Sequence, residues 1–286
     1  MRLLKRCSLL ILVVTALNTQ AASVWKVSSD QHTVYIGGTI HLLSPDDYPL
    51  PQEYDSAFEA ADTLVFETDI AAVNSIEFQQ KMMSQLVYAD GTTLDKVLKP
   101  QTFANLKQHL AARNVPIEAM LQLKPSLIAL TLSVMELQAL GFTSEGVDQF
   151  YSTKALTAGK PQTWFETPDD QLAFIVGLGK EDESAMIDYT IKDVAQMPDM
   201  INVMRSSWLA GDMATLAAAT IDEFKANYPQ IYQDLLVSRN NLWMPKIIKM
   251  LNDKPVEYIL VGAMHLAGPD SVLVKLAEQG YKVEKL

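Results

Sequence analysis

Val256-Glu257-Tyr258-Ile259-Leu260-Val261 runs straight into Gly262-Ala263-Met264-His265, and this stretch near the end of the chain decides how the rest is read. The first six residues form an apolar, β-branched and aromatic run, a strong strand signal. A helix is expected from Asp270 to Gln279, and Gly280 then precedes a closing strand at Tyr281-Lys282-Val283. The matching pieces lie at the other end of the chain. Val24-Trp25-Lys26-Val27 and Thr33-Val34-Tyr35-Ile36 read as strands, Pro51 to Ala61 as a helix, and Thr63-Leu64-Val65-Phe66 as a third strand. The sheet is therefore assembled from both chain ends. Between them the pattern is helical from Val73 to Leu140, with Pro100, Pro116 and Pro125 near helix starts. One helix is expected from Ser144 toward Ala158, a short strand at Gln162-Thr163-Trp164-Phe165, and further helices from Asp169 to Leu251. The expected fold is one α/β domain over 22–286. It has a central mixed sheet, a helical insertion over about 73–160 and further helices over about 169–251.

The same short frame closes two strands: Gly38-Thr39-Ile40-His41 early and Gly262-Ala263-Met264-His265 late. With 12 glycines in 286 residues and four histidines, chance supplies about 0.17 such frames, so two stand above background. A glycine at a strand end, Gly38 or Gly262, allows close backbone approach and swings the following histidine across the carboxyl edge of the sheet. That edge is where open α/β sheets bind ligands. A second repeat, Val65-Phe66-Glu67-Thr68 and Trp164-Phe165-Glu166-Thr167, sends Glu67 and Glu166 to the same edge. Two neutral imidazoles and a carboxylate suit a divalent cation with positions left open for water. Thr167-Pro168-Asp169-Asp170 also reads as a helix start, which gives Glu166 a second explanation.

Further polar groups gather at Glu145 and Asp148, in Ser144-Glu145-Gly146-Val147-Asp148, and at Arg239, in Ser238-Arg239-Asn240-Asn241. Arg239 is placed to clamp a substrate carboxylate or to hold a site glutamate. First-turn helix charges and a surface arginine are the plainer readings. His32 and His109 are assigned to solvated surface. The helices are expected to cover the sheet edge for want of another core, so Met82-Met83, Met197, Met200 and Met204 are offered as a cleft wall, with core filler as the alternative.

Charge and address narrow the partners. The chain carries 23 Lys and Arg against 34 Asp and Glu, a net −11, without the basic footprint of nucleic-acid binding. Arg2, Lys5 and Arg6 precede an apolar run from Ser8 to Leu17 and then Thr19-Gln20-Ala21, the pattern of a secretory signal peptide cut after Ala21. Cleavage would remove Cys7, the single cysteine, and with it any disulfide or thiolate metal site. The apolar stretch Ser126 to Leu140 contains Glu136 and reads as a buried helix, so no stable membrane insertion is expected after cleavage. A periplasmic or secreted protein is expected, and its oligomeric state is left open.

In order and spacing these motifs resemble the TraB/GumN family, which includes the Tiki metalloproteases. The resemblance rests on Gly38 to His41, the strand ending in Glu67, Glu145-Gly146-Val147-Asp148, Phe165-Glu166-Thr167, Arg239-Asn240 and Gly262 to His265. Where the family carries Arg-Asn-x-Met, this chain has Arg239-Asn240-Asn241-Leu242. The resemblance implies a fold related to the erythromycin-esterase and ChaN-like group and a metal-dependent hydrolytic site acting on a peptide or protein. Manganese or zinc is favoured and cobalt allowed. His41 and His265 would bind the metal, and Glu67 would be a third ligand or the general base. In the former case Glu166 or Glu145 must handle the proton. Two other readings stay open: a binding protein for peptide or haem using the same cleft, and a metal-free esterase.

Overall fold

The computed structural model describes residues 22–286, so the expected signal peptide and Cys7 lie outside the described residues. The strands are β1 (Val24–Ser28), β2 (Thr33–Thr39), β3 (Leu42–Leu43), β4 (Thr63–Phe66), β5 (Ser144–Glu145), β6 (Gln162–Trp164), β7 (Glu257–Gly262) and β8 (Lys282–Lys285). Six of them form one sheet in the order β6-β4-β7-β2-β1-β8. The first four run parallel, while β1 lies antiparallel to both β2 and β8. The expected mixed sheet built from both chain ends is therefore present.

Alternation explains why β7 takes a central place. Tyr258 and Leu260 point into one apolar layer with Leu64, Phe66 and Tyr151, whereas Ile259 and Val261 point into the other with Val34, Ile36 and Val65. A strand apolar on both faces has to be covered on both, and each side chain of this size stabilises by roughly 2 kcal/mol when buried. Because β2, β4, β6 and β7 are parallel, their carboxyl ends share one edge. His41, Glu67, Glu166 and His265 each follow one of these strands within four residues.

Two expectations about the helices need correction. The helices do have another core: Leu94, Leu106, Leu110, Ile128 and Leu132 pack with Ile187 and Val194 in a cluster separate from both sheet layers. The long helix Glu183–Leu209 joins the two regions, since its Trp208 is buried in the sheet core. None of the five methionines lines the cleft: three follow these cores, Met83 is 43% exposed, and Met200 belongs to none of the apolar clusters. Met204 packs on the sheet layer, Met197 on the helical cluster, and Met82 on a small cluster with Leu86.

The segment from Ser144 also differs from the single helix expected. Ser144–Glu145 pairs with Leu42–Leu43 as a two-stranded ribbon, and the helix begins only at Val147. The expected buried helix is found at Pro125–Ala139, where Glu136 accepts a hydrogen bond from Arg113 Nε at 3.2 Å. Among the described residues no helix is long and apolar enough to cross a membrane. His109 is half-buried against Arg113 and not fully solvated, and burial lowers its pKa.

Candidate functional site

The central strand delivers His265. After β7 the chain turns through a short 3-10 helix, Ala263–Leu266, which folds the ring back under the sheet edge, 5% exposed. Asn240, on the helix Ser238–Met250, fixes its orientation. The His265 Nδ1–H donates to Asn240 Oδ1 at 2.7 Å, and Asn240 Nδ2 donates to the Asp270 carbonyl at 3.0 Å. This network assigns the tautomer and leaves the lone pair on Nε2. The Trp243 ring covers the imidazole at 4.4 Å and stacks on Phe165 at 5.1 Å. Burial first, then the Arg239 charge, lowers the His265 pKa to about 4, so it is neutral at pH 7.

Glu67 follows β4, next to the His265 strand β7, which in turn neighbours the His41 strand β2. Its Oε1 accepts the Gly262 N–H at 2.6 Å and its Oε2 accepts Arg239 Nη2 at 2.5 Å. Gly262 leaves room for this approach, since a Cβ there would lie 3.2 Å from Glu67 Oε1. Burial pushes the carboxyl upward, but His265, Arg239 and His41 and the Gly262 N–H together bring it down to about 2. His265 is cationic only below its own pKa, so at neutral pH the ionised form rests chiefly on Arg239 and His41, with the Gly262 N–H behind them.

Arg239 is the hub of the buried half. Its Nε and Nη2 grip Glu166 at 2.7 and 2.9 Å, and its Nη1 donates to His265 Nε2 at 3.2 Å. Glu166 also accepts the Trp243 indole N–H at 2.9 Å. Both Glu166 oxygens are thus engaged in holding the guanidinium.

His41 lies on the open side, with 71% of its side chain exposed. Its Nδ1 meets Asp148 Oδ2 at 3.1 Å, and that carboxylate raises the ring's pKa to about 9, a pull that surrounding water screens. The ribbon of β3 and β5 makes this contact possible. Val147 N–H donates to the Ile40 carbonyl at 3.1 Å, and Gly146 passes so close that a Cβ would strike the Ile40 and His41 carbonyls. Gly38 sits inside β2, its carbonyl accepting from the Tyr54 hydroxyl at 2.5 Å and Trp208 Nε1 at 2.8 Å.

A cleft of about 370 Å³ opens onto His41 and Glu67, with Glu145, Asp148, Thr39 and Thr68 in its walls. Glu145 is exposed there, and its backbone carbonyl accepts from the Tyr48 hydroxyl at 2.8 Å. A larger cavity of about 500 Å³, near Phe174, Met186 and Ile231, contains none of the expected site residues. Size alone does not make it the reactive site.

The donor chemistry fits a divalent cation. Each histidine is anchored through Nδ1 to an oxygen from a different element, the arrangement that presents Nε2 to a metal. Buried Thr39 Oγ1, Thr68 Oγ1 and Asp148 Oδ1 lack partners around the same strand ends. The obstruction is Arg239, which stands on the ligating atoms of Glu67 and His265. Among the described residues no three His, Cys, Asp or Glu side chains close around a single point. In sequence Asn240 has a place in the Arg239-Asn240 motif but no role, and nothing points to Trp243, although Trp243 falls one helical turn after Arg239, where the two side chains meet.

No solved structure matches the chain. The "Uncharacterized protein YbaP" of Escherichia coli (strain K12) is 25% identical over 234 residues, covering 81% of this chain and 83% of the relative. The protein of the same name in Shigella flexneri matches to the same extent. The family model described as "TraB/PrgY/gumN family" matches residues 23–285, and the chain belongs to that family.

Proposed function

We propose that this protein is a divalent-metal-dependent hydrolase acting on peptides, with His41, Glu67 and His265 holding the ion. One observation carries the reading: two imidazoles follow neighbouring parallel strands, each tethered by Nδ1, and the ionised Glu67 follows the next strand along the same carboxyl edge. When bound, the ion supplies Lewis acidity that polarises a carbonyl and acidifies water. Kinship with the erythromycin-esterase and ChaN-like group, and export to the periplasm, belong to the same proposal.

The chain's own residues supply the rest. Asn240 and Asp148 hold the rings in register. Glu166 retains the Arg239 guanidinium as a positive charge beside the site, suited to stabilise negative charge developing on an attacked carbonyl. Trp243 and Phe165 exclude water from the His265 side. With Glu166 engaged, Glu145 on the open wall is the acid placed to take and return a proton.

The test is hydrolysis of peptide substrates under added manganese, zinc or cobalt by the wild type and by the His41→Ala and His265→Ala variants. Turnover lost in both variants is expected. Activity unchanged in both, or wild-type activity that resists chelators, overturns the reading.

A further inference from the structure

Arg239 occupies the places a cation would need. Its Nη2 lies 2.5 Å from Glu67 Oε2 and its Nη1 lies 3.2 Å from His265 Nε2. An ion bound by those two atoms would sit about 2.0–2.2 Å from each, so the guanidinium and the ion cannot share them. The same side chain has a second set of partners, already made by the same nitrogens, that would remain if Glu67 and His265 were released. Glu166 takes Nε and Nη2 at 2.7 and 2.9 Å, the Leu235 carbonyl takes Nη1 at 3.3 Å, and the Trp243 ring lies 4.9 Å from Cζ. Leu235 belongs to a π-helical turn, Gln233–Val237, immediately before Arg239, the kind of helix irregularity that collects at functional sites.

We propose that Arg239 is an internal plug, a guanidinium that fills the metal site in the metal-free protein and withdraws onto Glu166 and the Leu235 carbonyl when a divalent cation enters. The inference rests on the proposed metal site and adds its regulation. Without a cation, a buried ionised Glu67 would be left uncompensated, and Arg239 prevents that. Metal loading is then an exchange of one cation for another. Its equilibrium depends on how well Glu166 retains the arginine once Glu67 lets go.

The experiment is titration calorimetry of the purified, chelator-treated protein with zinc alone and manganese alone. Arg239→Lys keeps the charge but cannot span Glu67, His265 and Glu166 together, so it is expected to bind metal more tightly than wild type, by about tenfold or more. Arg239→Gln should tighten binding further, and Glu166→Gln should weaken it by removing the withdrawn seat. Zinc should also shift tryptophan emission in wild type, a change absent from Trp243→Phe. If Arg239→Gln does not fold, Arg239→Lys decides alone. Affinity in Arg239→Lys equal to or weaker than wild type overturns the plug while leaving the metal site standing. No binding in wild type or either arginine variant removes the metal site and the plug with it.

Discussion

Asp148 sets the charge of His41. Its carboxylate lies 3.1 Å from Nδ1 and raises the ring's pKa from an ordinary 6.5 to about 9, so in the metal-free protein the imidazole is cationic at neutral pH. Asp148→Asn is expected to return the His41 titration toward 6.5, followed by NMR of the ring protons; an unmoved titration would mean another group holds the proton. The partner of His265 acts differently. Removing the Asn240 amide strands a buried N–H, so Asn240→Ala should cost about 2 kcal/mol in urea unfolding. A cost near zero would show that the ring does not depend on this tether. Glu67, His41 and His265 were legible as single residues because each ends a strand in a repeated frame. Asn240 stands in the Arg239-Asn240 motif, but its role is not legible there: its bond to His265 crosses 25 positions, and no local pattern encodes it. Glu166 carried two explanations in sequence, and only the bidentate grip on Arg239 separates them.

At the scale of elements, the ribbon of β3 and β5 brings Asp148 to His41. It escaped sequence reading because two residues per strand show no periodicity, and their pairing depends on Gly146 sliding past the Ile40 and His41 carbonyls. Gly146→Ala should therefore displace His41, reduce peptide hydrolysis and destabilise by roughly 2 kcal/mol. Gly177→Ala, where an added Cβ meets nothing, should be near neutral in the same thermal unfolding assay. Equal costs at both sites would contradict the close approach. The long strands were easier to read. Tyr258 to Val261 is buried on both faces, and the continuous apolar run states that directly. The separate helical core was missed for the opposite reason. Which helices meet Leu106 and Ile128 depends on the long helix Glu183–Leu209 returning to them, a tertiary choice that amphipathic spacing does not specify.

The whole molecule should record the buried site in its pH dependence. His265 has a folded pKa near 4, below its ordinary 6.5, so the unfolded chain takes up a proton in that interval that the native protein refuses. The His265 contribution to stability therefore rises with pH from about 4 to 6.5, while Glu257, which burial raises from 4.5 to about 7, contributes with the opposite sign between those values. Glu67, held at about 2 against an ordinary 4.5, contributes stability above 4.5 that is lost as pH falls toward 2. Urea unfolding between pH 7 and 4 should show a more positive dependence of stability on pH in wild type than in His265→Leu. An identical slope in both would place the responsible groups elsewhere.

The site as a whole joins two chain ends across a sheet edge, and the proposed metal centre requires His41, Glu67 and His265 to hold one ion together. The most direct measurement is the metal content of purified protein after manganese or zinc loading and desalting, in wild type and in the His41→Ala, His265→Ala double variant. One tightly held divalent ion per wild-type chain and none in the double variant is the expected result. No retained metal in wild type, or equal metal in both proteins, would contradict a shared metal centre at these residues.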